Sequence, residues 1–262
     1  MPTDPKVIAI IPARWASSRF PGKPLAIIRG KPMIQWVVEQ TEKAHSVSEV
    51  IVATDDERIV QAVQGFGGTA VMTSPDHLSG TDRVAEVAES RDCEIVVNVQ
   101  GDEPLIPPEN IDLIVAPLVS DETIKVSTLM IRIDTVENLA NPDICKVVVD
   151  HLGNALYFSR APIPFDRDGW SRDLQEGEGV WPRDMKVKAY KHIGMYAYSK
   201  SFLLEYPGLR ESQLETIEKL EQLRILENGV SIRVVETQKD SIGVDREEDL
   251  SVVEKFLEKN RS

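Results

Sequence analysis

The stretch that decides the fold is VIAIIPARWASSRFPGKPL, residues 7–25. Its first seven residues form an unbroken apolar run, as expected of a strand covered on both faces. A short segment follows that holds three cations, Arg14, Arg19 and Lys23, among Ser, Pro and Gly. Next comes PMIQWVVEQTEKAH (32–45), with a helical period and a proline at its start, and then a second apolar run, EVIVAT (49–54). Strand, loop, helix and strand in that order make a βαβ unit, and a βαβ unit calls for a parallel sheet.

The alternation continues outward from there. DERIVQAVQGFG (56–67) reads as a helix closed by glycine, TAVMT (69–73) as a short strand and GTDRVAEVAESR (80–91) as a helix. EIVVNVQ (94–100) reads as a buried strand, PPENIDLIVAPLV (107–119) as a helix and KVSTLMIRI (125–133) as a strand. The second half is patterned differently. CKVVVDHLGNALYFSR (145–160) predicts a β-hairpin with Gly153-Asn154 in its turn. Residues 164–185 are polar and rich in Gly, Pro, Asp and Arg, and predict a long loop that acts as a mobile lid. HIGMYAYS (192–199) predicts a strand, SQLETIEKLEQLRILENG (212–229) one helix with a glycine stop, SIRVVET (231–237) a strand, and DREEDLSVVEKFLEKN (245–260) the final helix. The expected class is α/β: a mainly parallel central sheet flanked by helices, with a smaller β-containing part in the middle of the chain.

The chain has 262 residues and a formal net charge of −13. That balance argues against nucleic acid as a partner, because nucleic-acid binders show a broad basic face. No run approaches the ~18 apolar residues of a membrane span. The N-terminal MPTDPKVIAIIPA has no basic region ahead of a long apolar one, so no signal peptide is expected. Cys93 and Cys145 lie far apart in apolar settings without a C-x-x-C spacing. Reduced, buried thiols in a cytoplasmic protein are the expectation. The basic loop must therefore answer to something small and anionic.

In open parallel sheets, ligands sit at the carboxyl ends of the strands, and the loop of Arg14, Arg19 and Lys23 starts at one such end. It is neither a Walker loop nor G-x-G-x-x-G. Its cations suit a triphosphate and the pyrophosphate charge that develops when one is cleaved; alternatively they only offset surplus acid. In VVNVQGDEP (96–104), Asp102 ends a strand at the same edge, as a ligand for Mg²⁺ or as a turn aspartate. In GVDREEDL (243–250), Asp245 with Glu248 three residues on fits a helix N-cap and capping box, or a second metal carboxylate. On the helix predicted at 212–229, Leu214, Ile217, Leu220 and Leu223 form an apolar stripe. Glu221 falls on or beside it, as a rim residue or a ligand-facing one. His192 fits a satisfied structural histidine or a site residue. LSGTDR (78–83) fits a helix start, good for capping or for meeting a ligand.

IIPARWASSRFPGKPL, ATDDERI, MTSPDHLSGTDRVAEV, VVNVQGDEPLIPP, KVVVDHLGNALYFSRAPIPFDRD, KHIGMYAYSKSFLLEY, LETIEKLEQLRILENG and GVDREEDL run through the whole chain in order. Together they resemble the CMP-Kdo synthetase family, the 3-deoxy-manno-octulosonate cytidylyltransferases. The resemblance implies a Rossmann-like nucleotidyltransferase domain over 1–262. Residues of about 1–133 and 231–262 would form the nucleotide-binding core, and about 134–230 a subdomain for sugar binding and dimerisation. It implies transfer of CMP from CTP to the anomeric hydroxyl of Kdo, with Mg²⁺, in a cytoplasmic homodimer serving lipopolysaccharide synthesis. By resemblance, Arg14, Arg19 and Lys23 hold the CTP phosphates, and Asp102 and Asp245 hold Mg²⁺; Arg14, Lys23, Asp102 and Asp245 are the catalytic set. Pro12, Ala13, Ser79, Gly80, Thr81 and Gln100 surround the nucleotide. Gln100, Arg160, Arg167, His192, Tyr196, Glu221 and Gln222 line the sugar site. The segment at 169–190 departs from the family pattern beside the expected sugar pocket, which leaves 8-amino-Kdo open as the acceptor. A CMP-sialic acid synthetase, a sugar-1-phosphate nucleotidylyltransferase and a non-catalytic nucleotide-binding protein are the competing readings of the same chain. The YFSRAPIP and LEQLR blocks argue against the first two, and the presence of both carboxylates against the third.

Overall fold

The structure is a computed structural model that describes residues 5–16, 20–77, 79–167 and 188–259. In chain order the strands among these are β1 (Val7–Ala13), β2 (Ile27–Ile28), β3 (Lys31–Pro32), β4 (Glu49–Thr54), β5 (Thr69–Met72), β6 (Ile95–Asn98), β7 (Val126–Arg132), β8 (Lys146–Val149), β9 (Ala155–Ser159), β10 (Tyr190–Ser199) and β11 (Arg233–Thr237). The first helices are α1 (Met33–Thr41), α2 (Glu57–Gly65), α3 (Gly80–Glu89) and α4 (Pro108–Ser120). Contacts divide the chain into two units. The first takes its residues from Met1–Ser127, Met195–Gly208 and Lys239–Ser262, the second from Thr128–Gly194 and Leu209–Gln238. The boundaries read from the sequence differ at 195–208, which belongs to the first unit, and at 128–133 and 231–238, which belong to the second.

In the first unit β1 lies between β4 and β6, and β4 pairs β5, all parallel. Ile8 to Ile11 of β1 are wholly buried, as are Ile51 to Ala53 of β4, so the unbroken apolar runs belong to strands covered on both faces. The end of β10 departs from the parallel rule. It runs antiparallel to β6, with Tyr196 opposite Asn98. Local chemistry starts the helices. Asp56 caps α2 by accepting from the Arg58 N–H, and Ser79 with Asp82 makes a capping box on α3. Pro107 and Pro108 open α4.

In the second unit β8 and β9 form the expected hairpin. The Asp150 carboxylate accepts from the Leu152 and Asn154 N–H groups, both at 2.8 Å, and closes the turn. The start of β10 pairs antiparallel with β8. The single helix expected over 212–229 is instead two, Gln213–Glu218 and Gln222–Glu227, broken where Lys219 adopts a left-handed backbone. Arg224 forks onto Glu215 at 2.7 Å and 2.7 Å and ties the two together. The apolar stripe is broken with the helix: Leu220 and Leu223 are buried, while Ile217 is 68% exposed.

Candidate active site

Beyond the carboxyl end of β1 the chain enters the basic loop, which closes on itself. The Gly22 N–H donates to the Trp15 carbonyl at 3.0 Å. Gly22 has φ +72°, and a Cβ there would stand 2.9 Å from Trp15 Cη2, so backbone and space both require glycine. Lys23 follows, with its side chain 14% exposed. Its Nζ lies 2.6 Å from Asp102 Oδ2, donates to the Val244 carbonyl at 2.9 Å, and lies 3.9 Å from Asp245 Oδ1. Three segments far apart in sequence thus meet around one ammonium.

Each segment is held for a physical reason. Asp102 follows Gly101, where a Cβ would sit 2.8 Å from the Pro12 carbonyl oxygen; only glycine lets this turn approach the end of β1. Gly80 packs on the Pro12 ring, so Gly80 and Gly101 both approach Pro12 at the end of β1. Val244 is buried with Ile28, Met33 and Val253, and its N–H donates to the Asp102 carbonyl at 2.8 Å. That anchor sets the position of Asp245, which is 57% exposed.

The N-cap reading of Asp245 is corrected. The final helix is Asp249–Lys259, not 245–260. The Asp249 carboxylate accepts the N–H groups of Asp245 and Arg246, both at 2.8 Å. The Asp245 carboxylate instead faces Lys23.

Arg14, half-buried, leaves β1 just before Trp15, and Ala13 is buried at the strand's end. Ser79 is engaged in its capping box, and buried Thr81 accepts from Asn98 Nδ2 at 3.4 Å. The Gln100 carbonyl accepts the Glu103 N–H at 3.3 Å in the turn that carries Asp102. Arg19 lies outside the described residues, as do 168–187, and with them most of the expected lid and of the departing segment. Sequence reasoning missed a buried ion pair at this edge. Arg83 is wholly buried, donates from Nη2 to Asp55 at 2.8 Å and from Nη1 to Thr73 Oγ1. Its signal is a cation on the inward face of α3 among Val84, Val87 and Ala88, which demands an acid partner.

The second unit holds its own polar cluster. Arg160 Nε donates to the Glu218 carbonyl at 2.9 Å and Nη1 to the Pro142 carbonyl at 3.1 Å. The Glu218 carboxylate accepts from Ser159 Oγ at 2.7 Å, the Arg160 N–H at 3.0 Å and Tyr157 OH at 3.4 Å. Burial pushes the Glu218 carboxyl up, but these donors and the Arg160 charge outweigh it and hold it below the ordinary value. Lys146, wholly buried, donates to the carbonyls of Asn141 at 2.8 Å, Ile144 at 2.7 Å and Arg160 at 2.5 Å; burial lowers its pKa. Neither Lys146 nor Glu218 was singled out from the sequence, since each reads as an ordinary charge on a strand or helix.

His192 is buried, with Nε2 2.9 Å from Thr128 Oγ1 and its ring edge-on to Phe158. Burial pushes its pKa down to about 3, so the ring is neutral. Buried Gln222 meets Cys145 Sγ at 3.6 Å, and burial pushes that thiol up to about 12. Cys93 is buried and Cys145 half-buried, and neither forms a disulfide. Glu221 precedes the helix Gln222–Glu227, and Arg167 is exposed. Tyr196, in the first unit, is buried and stacks on Tyr198.

The family described as cytidylyltransferase matches residues 8–232. A 3-deoxy-manno-octulosonate cytidylyltransferase of Geobacter metallireducens is 56% identical over 252 residues, covering 96% of this chain and 98% of that protein. A protein of the same name from Solibacter usitatus is 49% identical, covering 96% and 94%. The solved structure of a CMP:2-keto-3-deoxy-manno-octonic acid synthetase complexed with CTP matches with a TM-score of 0.87 and 43% identity, over 97% of this chain and 99% of that one. The chain belongs to the 3-deoxy-manno-octulosonate cytidylyltransferase family of cytidylyltransferases.

Proposed function

We propose that this protein transfers CMP from CTP to the anomeric hydroxyl of Kdo and releases pyrophosphate, activating the sugar for lipopolysaccharide assembly. The observation that carries this reading is the meeting of Lys23, Asp102 and Asp245 at the carboxyl edge of a parallel sheet, in a chain alike over its length to proteins so named. In the reaction the anomeric oxygen bonds to the α-phosphorus, the α–β phosphoanhydride bond breaks, and the hydroxyl proton is lost. No covalent enzyme intermediate is needed; the chemistry asks for positioning and charge neutralisation. Lys23 and Arg14 flank the neck of the basic loop and offset the triphosphate charge. Pro12, Gly80 and Gly101 bring backbone close to the nucleotide.

The donor set fits Mg²⁺: two carboxylates converge on one cationic position, which the Lys23 ammonium fills, and phosphate oxygens complete such a shell. When bound by Asp102 and Asp245, Mg²⁺ supplies charge neutralisation and polarisation of the reacting phosphate. Arg160, oriented by the Glu218 and Pro142 carbonyls, suits the sugar carboxylate. A homodimer in the cytoplasm belongs to the same proposal; no helix among the described residues is long and apolar enough to cross a membrane.

The test is pyrophosphate release from CTP with Mg²⁺, comparing Kdo, 8-amino-Kdo, N-acetylneuraminate and glucose 1-phosphate. Release with Kdo is the expected result. Preference for the amino analogue keeps the mechanism and changes the acceptor, and CTP binding without release from any acceptor overturns the reading.

A further inference from the structure

The basic loop is braced from a helix that carries none of the expected site residues. The guanidinium carbon of Arg58 lies 3.4 Å from the centroid of the Trp15 ring. Arg58 is held in place by a fork onto Asp56, Nε to Oδ1 at 2.8 Å and Nη2 to Oδ2 at 2.6 Å. The same Asp56 carboxylate accepts the Arg58 N–H at 3.0 Å as the cap of α2. The Trp15 ring in turn packs on Gly22, with three of its carbons within 3.3 Å of where a Cβ would be, and the Trp15 carbonyl takes the Gly22 N–H. Arg14 immediately precedes this indole, and Lys23 immediately follows that glycine.

We propose that Arg58 is a positioning residue for the triphosphate loop, acting through Trp15. The Asp56–Arg58 fork holds a planar cation on the indole, the indole fixes Gly22, and Gly22 fixes the backbone from which the Lys23 side chain reaches toward an incoming phosphate. A Lys23 backbone already placed loses less freedom when its ammonium meets an anion, so the brace acts on CTP affinity. At saturation the bound triphosphate itself holds Lys23, so turnover is unaffected. The helix cap does not depend on the arginine side chain, because Asp56 takes a backbone N–H there. The proposal rests on the reading that this loop binds a triphosphate.

The experiment measures CTP binding at equilibrium, CTP KM, Kdo KM, kcat and the melting midpoint for the wild type, Arg58→Ala, Arg58→Lys and Trp15→Phe. Arg58→Ala is expected to weaken CTP binding and raise its KM by roughly two- to tenfold, with kcat and Kdo KM unchanged. Arg58→Lys, which keeps a cation without the planar fork, is expected to fall between, and Trp15→Phe to resemble the wild type more than Arg58→Ala does. Unchanged CTP binding in Arg58→Ala, whatever its melting midpoint, overturns the proposal, and so does a fall in kcat without a change in KM. Failure of the wild type itself to bind CTP overturns the triphosphate reading instead.

Discussion

Two lysines show how one residue type is put to opposite uses. Lys23 is held by carboxylates: Asp102 at 2.6 Å and Asp245 at 3.9 Å, on loops that water reaches. Lys146 is held by three backbone carbonyls and is wholly buried. Carboxylates carry net charge and can accept another cation, so under the proposed function the Lys23 ammonium would be exchangeable, free to turn to a phosphate if a metal were held by Asp102 and Asp245. Carbonyls carry no net charge, and an ammonium wholly buried among three of them has no water to turn to, so Lys146 is fixed. The proposed chemistry gathers around the first, and the frame that holds Arg160 around the second.

That contrast makes graded predictions. Asp102→Ala is expected to lower turnover by on the order of 10²- to 10⁴-fold while the melting midpoint moves little, as read by pyrophosphate release and calorimetry. Lys146→Met is expected to behave in the reverse sense, with stability falling by about 3 kcal/mol as three carbonyls lose the ammonium. A denaturant titration reads this, and a change under about 1 kcal/mol would erase the distinction between the two lysines.

A smaller effect tests the buried cluster by pH. Burial depresses the His192 pKa from 6.5 to about 3. The unfolded chain therefore binds a proton first as pH falls. Stability from this group is complete above pH 6.5 and drains at about 1.4 kcal/mol per pH unit below it until the folded pKa is reached. Unfolding curves between pH 6.5 and 5 are expected to be steeper in pH for the wild type than for His192→Gln. Equal slopes contradict the buried, neutral histidine.

Much of this was legible before the structure. The unbroken apolar runs at 7–13 and 49–54 specify covered parallel strands, and the loop after the first strand then falls at their carboxyl ends, with Lys23 in it and Asp102 in the turn after β6. What stayed hidden depends on contacts remote in sequence or on backbone angles without a residue signature. Asp245 with Glu248 matches a helix start, and only the Asp249 carboxylate beneath it shows that the helix begins later. The leucine period runs straight through Lys219, whose left-handed backbone is unannounced because lysine is an ordinary helix former. Lys146 looks like the polar edge of a strand until the carbonyls of 141, 144 and 160 converge on it. The Trp15–Arg58 contact joins residues from two separate elements with no pattern linking them.

Asp245 is proposed to serve the reaction rather than the helix. The most direct measurement is the Mg²⁺-dependent turnover of Asp245→Ala set beside its melting midpoint. The account predicts turnover nearly abolished and a midpoint close to that of the wild type, because Asp249 accepts the N–H groups at the helix start. Near-normal turnover with a lowered midpoint would contradict it and return Asp245 to the role of a cap.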